Sequence, residues 1–305
     1  MHAHLPVMPR ETLAALAPRP GATLVDATLG LGGHSEALLE ATSPDGQLIG
    51  IDRDAQMLAA ARERLARFGS RLRAVQARFS AVADVVRGAG ADPVDGILLD
   101  LGLCSAQIDD PERGFSFREQ ARSALLDMRM DPTRGESAAQ LIARADEDEL
   151  VQLLGEGDVP SPRRVAQALV AGRPIPTVGA LLDALEGVRL PRRRHNPATL
   201  VFQALRMAVN QELAELETAL ESSVELLAPG GRLVVLSYHS GEDRRVKQFF
   251  AREQRGCICP PDLPRCGCGR EPRLRSLVRG QQAGAEEIEQ NPRARSARLR
   301  AGERL

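Results

Sequence analysis

The stretch that most constrains this chain is Thr23 to His34, TLVDATLGLGGH. Thr23, Leu24 and Val25 read as a short buried strand. It breaks at Asp26 into a turn carrying Gly30, Gly32 and Gly33, and His34 opens a helix running to about Glu40. Glycine lets backbone approach a ligand closely, and a helix N-terminus offers unpaired N–H groups. Strand, turn and helix end together make a nucleotide-type site. A dinucleotide fingerprint needs a third glycine where Ser35 stands, so that motif fails. A turn that merely joins a strand to a helix is the plainer alternative.

The next segments repeat the unit. Gln47–Ile51 reads as a second buried strand, ending in Asp52-Arg53-Asp54, with Asp54 placed to cap a helix from Ala55 to about Arg67. Asp52 follows Gly30 by 22 positions. At a strand's carboxyl end, a carboxylate so placed can accept both ribose hydroxyls of an adenosine; a second capping acid is the alternative. Leu72–Gln76 reads as a third strand, with Ser80 capping a helix to about Arg87. Phe79 sits at the turn between them, where an adenine could rest or a core ring could pack. Asp95–Leu99 is a fourth strand ending at Asp100. Four alternations of strand and helix predict a doubly wound, mainly parallel sheet. Ligands bind at the carboxyl ends of such strands, and Asp26, Asp52, Phe79 and Asp100 are all expected there. An acidic residue just ahead of a G-x-G turn is the arrangement of S-adenosylmethionine-dependent methyltransferases.

The alternation then stops. Residues 108–195 carry no convincing strand, only short helical stretches: Ala138–Ala143, Glu147–Leu154, Arg163–Val170 and Val178–Leu185. They predict a helical subdomain inserted between a first sheet portion, 1–107, and a second, 196–305. The insert ends in Arg192-Arg193-Arg194-His195, either a solvated basic loop or a grip on nucleic-acid phosphates. Asn196 and Pro197 then open one long helix whose apolar face includes Leu205, Val209, Leu213, Leu216, Leu220 and Val224. Pro229-Gly230-Gly231 stops it. Arg232–Leu236 is a fifth strand whose polar end, Ser237-Tyr238-His239, makes His239 a candidate active-site residue as well as a candidate structural histidine. The arginine-rich tail reads as a last edge strand, Ala297–Ala301, or as a flexible basic arm.

Composition limits the setting. The net charge of −1 excludes the global basic field of many nucleic-acid binders, although Lys247 is the only lysine among 40 basic residues. No apolar run approaches a membrane span and the N-terminus lacks a signal-peptide pattern, so a cytoplasmic protein with no membrane partner is expected. Cys257, Cys259, Cys266 and Cys268 form C-x-C-x6-C-x-C. In that compartment a metal site is favoured over disulfides, and zinc is the candidate.

The motifs, taken in order, resemble one family. The stretches HLPVMPRE, VDATLGLGGHSEALLE, IGIDRDAQML, ARFS, DGILLDLGLCSAQIDDPERGFSF, LDMRMDP, NPATLVFQALRMAVNQEL, LAPGGRLVVLSYHSGEDRRVK and NPRARSARLR run from residue 4 to about residue 300. They resemble the ribosomal RNA small subunit methyltransferase H family, the bacterial 16S rRNA cytosine-N4 methyltransferases. The resemblance implies a class I (Rossmann-like) methyltransferase fold with a helical insert and S-adenosylmethionine as donor. It implies a cytidine in the decoding region of the small ribosomal subunit as acceptor. By matching position it implies cofactor contacts from Gly32, Gly33, His34, Asp52, Phe79, Asp100 and Gln107. The family's usual S-S-P-Q reads Cys104-Ser105-Ala106-Gln107 here, Ser123–Leu126 replaces an expected Gly-Pro, and Leu200 stands where an arginine is common.

A cytosine amino group is a poor nucleophile, so an acceptor for its N–H should help the transfer. The [DNS]-P-P-[YF] loop of DNA amino-methyltransferases is absent at Asp100-Leu101-Gly102-Leu103, which leaves Asp100 first and His239 second as candidates. Phe115 and Phe117 either cover a flipped base or pin the insert. The competing readings are a methyltransferase acting on a small molecule or protein, and a non-catalytic nucleotide-binding factor of ribosome assembly. A monomer or homodimer fits either.

Overall fold

Seven strands form one sheet in the computed structural model, which describes residues 6–188, 197–255, 257, 259–260, 263–265 and 267–305. They are β1 (Thr23–Asp26), β2 (Gln47–Asp52), β3 (Leu72–Gln76), β4 (Val94–Asp100), β5 (Leu227–Ser237), β6 (Leu274–Gln282) and β7 (Arg298–Arg304). Their order is β3-β2-β1-β4-β5-β7-β6. β1 to β5 are mutually parallel, and β7 lies antiparallel to both β5 and β6. The sheet belongs to one of two units, Met1–Gly102 with Ala214–Leu305; the other is Leu103–Leu213. Among the described residues no helix is long and apolar enough to cross a membrane.

The inner strands are apolar on both faces, as parallel strands covered by helices must be. Val25, Ile49, Ile97 and Val235 pack on one face against Val82, Leu220 and Val224; Leu24, Leu48, Leu98 and Val234 pack on the other against Leu38, Leu39 and Leu58. The two sets alternate along each strand, as the period of two requires. An added Cβ at Gly50 in β2 would come within 2.8 Å of the Leu29 side chain, which would have to shift.

Several details depart from the sequence reading. The long helix is two helices, Pro197–Asn210 and Glu212–Leu226, broken at Gln211, whose φ is +55°. Periodicity alone does not register such a break, because the apolar spacing carries on across it. β5 begins at Leu227 rather than Arg232: the register jumps from Leu227 opposite Val94 to Arg232 opposite Gly96, so Pro229-Gly230-Gly231 forms a bulge inside the strand. Ser80 caps nothing; a 3₁₀ turn at Phe79–Ala81 leads into the helix Val82–Gly88.

The tail is neither an edge strand nor a loose arm. β7 sits between β5 and β6, and the edge belongs to β6, a strand that the polar sequence LRSLVRGQQ disguises. Arg300 in β7 is buried and binds Asp243 with both arms of its fork, Nε to Oδ1 at 2.9 Å and Nη2 to Oδ2 at 3.1 Å. Asn196 lies outside the described residues.

The helical unit follows its caps. Ser137 and Gln140 form a capping box, Asp146 accepts from Glu149 N–H and Thr177 from Ala180 N–H. These caps open the helices Ala138–Arg144, Glu147–Glu156 and Val178–Glu186, close to the expected spans. Pro197–Asn210 counts with this unit, five residues earlier at one end and eighteen later at the other than the 108–195 reading, because Val201, Phe202 and Leu205 bury in its core beside Leu150, Leu154 and Val165.

Removing the Arg300 fork strands a partly buried carboxylate. Arg300→Ala is expected to lower unfolding free energy by about 3 kcal/mol, read as a lower urea midpoint at unchanged slope. An unchanged midpoint would contradict the role assigned to the pair.

Candidate active site

The chain runs outward from β1 to β2 and β3, then returns across the sheet to β4. The strand order therefore reverses between β1 and β4, and in such sheets the crevice outside the carboxyl ends at that reversal is where ligands bind. The register sets the depths of the side chains there. Asp26 pairs with Gly50 and Leu98, whereas Asp52 and Asp100 come two residues later on β2 and β4. Two strand residues are about 7 Å, so Asp26 lies below the rim that Asp52 and Asp100 form.

That depth decides what Asp26 does. It is 1% exposed. Its Oδ2 accepts from the Ser35 hydroxyl at 2.7 Å and its Oδ1 from Thr28 N–H at 3.2 Å. Burial raises its pKa, against the lowering effect of the Ser35 bond. Asp26 thus ends β1 as expected, but its side chain is buried below the rim and clamps the glycine turn to the first turn of the following helix.

The turn itself fits its sequence. Leu29 N–H donates to Ile51 O at 2.8 Å and Gly30 N–H to Asp52 Oδ2 at 2.8 Å. Gly32, at φ +78°, starts the helix Gly33–Ala41, and a Cβ there would meet Leu65 Cδ1 at 2.9 Å. Only glycine satisfies both the backbone angle and the close approach.

Asp52 and Asp54 divide the roles the sequence left open. Asp54 caps the helix Ala55–Arg64, accepting from Gln56 and Met57 N–H. Asp52 does not cap. Its Oδ1 accepts from Asp54 N–H at 2.8 Å while Oδ2 holds Gly30, so each oxygen keeps a lone pair for a further donor. Burial pushes its pKa up to about 6, although the two backbone hydrogen bonds oppose the rise. Phe79 opens the 3₁₀ turn after β3 and is half-buried against the apolar cluster of that face, leaving ring surface outside it.

Asp100 is tied to three neighbours. Its N–H donates to Thr28 Oγ1 at 2.6 Å, its Oδ1 accepts from the Tyr238 hydroxyl at 2.6 Å, and its Oδ2 stands 3.5 Å from His34 Nε2. Tyr238, the only tyrosine in the chain, was not singled out from sequence; its signal was its place just past the end of β5. Burial first, then the Asp100 charge, lifts its pKa well above the usual phenol value, so it remains a donor. His34 is buried, and its Nε2 makes no aligned hydrogen bond among the described residues. Burial alone would lower its pKa; Asp100, with Asp26 and Glu287, more than offsets that and raises it.

His239 Nε2 stands 3.0 Å from Glu242 Oε1, and its Nδ1 accepts from Glu242 N–H at 3.4 Å, at the start of the helix Ser240–Arg255. Gln107 belongs to the helical unit, where its Oε1 accepts from Cys104 N–H at 3.0 Å in a capping box. Phe115 is buried in that unit's core, and Phe117 packs on Phe202 with ring centroids 5.3 Å apart, so both rings pack within the helical unit. Arg192, Arg193, Arg194, His195 and Cys266 lie outside the described residues.

A carboxylate with lone pairs to spare, placed at the reversal of strand order, suits the ribose of an adenosyl ligand. The sheet, with antiparallel β7 slotted between β5 and β6, is the Rossmann-like sheet of class I methyltransferases. The model of the MraW methylase family matches residues 1–305, and the chain belongs to that family. It is 51% identical to a ribosomal RNA small subunit methyltransferase H of Geobacter sulfurreducens over 99% of both chains. It is 49% identical to the protein of that name from Trichlorobacter lovleyi, over 99% of this chain and 98% of the other. With the one from Thermomicrobium roseum it shares 50% identity, over 99% and 94%.

If Asp52 holds the ribose, the ribose hydroxyls donate best to the ionised carboxylate. With its pKa at about 6, affinity for S-adenosylhomocysteine should fall about tenfold from pH 7 to pH 5, since about nine in ten of these carboxyls are then protonated. Calorimetry across that range checks this. Asp52→Asn should bind weakly with a flat profile; a flat wild-type profile would contradict the assignment.

Proposed function

We propose that this chain transfers the methyl group of S-adenosylmethionine to the exocyclic N4 of a cytidine in the 16S rRNA of the small ribosomal subunit. The observation that carries this reading is end-to-end identity of about half with relatives named ribosomal RNA small subunit methyltransferase H. The rim residues are of the types such a transfer needs.

The bound sulfonium supplies an already activated methyl, so the protein's task is alignment and exclusion of water. Asp52 accepts the ribose hydroxyls, Phe79 flanks the adenine, and Gly32 and Gly33 open the helix beside the ligand. His34, with its raised pKa, holds a proton against Asp100. Asp100 accepts an N–H of the target amino group, keeps the nitrogen lone pair turned towards the methyl, and helps the proton leave. Tyr238 fixes the carboxylate for that role through its 2.6 Å hydrogen bond. His239 is the weaker candidate, since both its nitrogens face Glu242. Gln107 is retained as a cofactor contact on the family pattern alone.

A base must leave its stack to reach a sheet rim. With one Tyr, seven Phe and no Trp, stacking platforms are few, and Phe115 and Phe117 are engaged in packing. Arginine contacts to phosphate and to the folded RNA surface then lead recognition, with the helical unit and the run Arg192–His195 as the RNA-facing parts. The intended partner is the structured small-subunit particle.

Mass mapping of small-subunit rRNA should show one cytidine base lighter by a methyl group in cells lacking this protein, restored by the wild-type chain. An identical map would refute the proposal. Asp100→Asn should lower turnover with saturating cofactor by about a hundredfold or more; near-normal turnover would remove Asp100 as acceptor. The assembled particle should be methylated far better than a short oligonucleotide, and binding should weaken steeply with salt; equal use of both substrates would count against recognition by shape.

A further inference from the structure

Between the helix Ser240–Arg255 and β6 runs the cysteine segment, which the methyl-transfer reading does not use. Its two ends are joined by one carboxylate. Glu253 is fully buried and pairs with Arg252 before the segment and with Arg270 and Arg273 after it. Burial alone would lift its pKa, but the three guanidiniums more than offset that and hold it at about 2. The base of the segment is therefore closed by charge, without help from sulfur.

Above that base the sulfur atoms converge. The Sγ atoms of Cys257, Cys259 and Cys268 all lie within 4.8 Å of one another, and those of Cys257 and Cys268 are 3.9 Å apart. A disulfide needs about 2.05 Å, so this is not a bonded pair. Two thiolates on a tetrahedral zinc, each at about 2.3 Å, stand about 3.8 Å apart. Three sulfurs all within 4.8 Å of one another can share one ion placed among them. Gly267 N–H donates to Cys259 Sγ at 3.4 Å. Such a bond favours a charged thiolate and orients it, as outer hydrogen bonds do around metals. Gly269, at φ +59°, gives the turn after Cys268 a conformation other residues resist.

We propose that Cys257, Cys259 and Cys268 bind one zinc-class divalent cation, which locks this segment into the C-terminal part of the sheet unit. Cys266 lies outside the described residues, and the proposal rests on the other three. Binding converts three thiols to thiolates and releases three protons to solvent, with no change of oxidation state. The role is structural, and methyl transfer takes no step through the ion.

The test uses the full chain, purified under reducing conditions, incubated with zinc sulfate and desalted. Elemental analysis should find one zinc per chain. Loading with cobalt(II) instead should give a thiolate charge-transfer band in the near ultraviolet and tetrahedral ligand-field bands in the red. Cys257→Ser and Cys268→Ser should each reduce retained zinc about tenfold or more, while Cys104→Ser leaves it unchanged. The cobalt spectrum is read on the wild type, so a variant that fails to fold does not blunt the test. Substoichiometric zinc in wild type with all thiols titratable, a cobalt spectrum without the charge-transfer band, or full retention by both serine variants would each overturn the proposal.

Discussion

The site depends on five parallel strands that end along one edge with one of them short. Had Asp26 stood two residues further along its strand, it would be level with Asp52 and Asp100. Three carboxylates would then crowd one crevice and repel one another. Because β1 stops early, Asp26 drops into the interior and is held by Ser35 and Thr28. It anchors the glycine turn, and the turn positions His34 against Asp100. A difference in strand length thus divides like-charged residues between an anchoring task and ligand-facing tasks.

The rim is also cross-tied. Thr28 from the turn holds the backbone of Asp100, Asp52 holds Gly30, and Tyr238 from beyond β5 holds the Asp100 carboxylate. Four strand ends, those of β1, β2, β4 and β5, are thereby linked by side chains as well as by the sheet ladder. The ties leave a lone pair on each Asp52 oxygen uncommitted, and a ligand donor can be accepted there. The same economy of charge recurs at Glu253, where one carboxylate gathers three arginines and closes the base of the cysteine segment.

Much of this was legible in the residues. The strands β1 to β4 announce themselves as apolar runs between glycine turns and capping acids, and the helices of the insert begin at Ser, Asp and Thr caps. What escaped has physical causes. β6 is polar because it is an edge strand, so the alternation that marks a strand is faint. The tail arginines look solvated, yet Arg300 is buried because Asp243 reaches it from another element, and no local pattern encodes such a distant partner. Gln211 breaks a helix whose apolar spacing runs on regardless. Tyr238 was passed over because its hydroxyl acts through Asp100, a residue 138 positions away in sequence.

The central claim is that Asp52 and Asp100, brought level by register at the point where strand order reverses, flank an adenosyl ligand. A crystal structure of the full chain soaked with S-adenosylhomocysteine addresses it directly. The account predicts the ribose on Asp52, the adenine beside Phe79, and the sulfur end lying towards Asp100 and His34. Density for the ligand at any other place, or a rim that stays empty at saturating concentration, would contradict it.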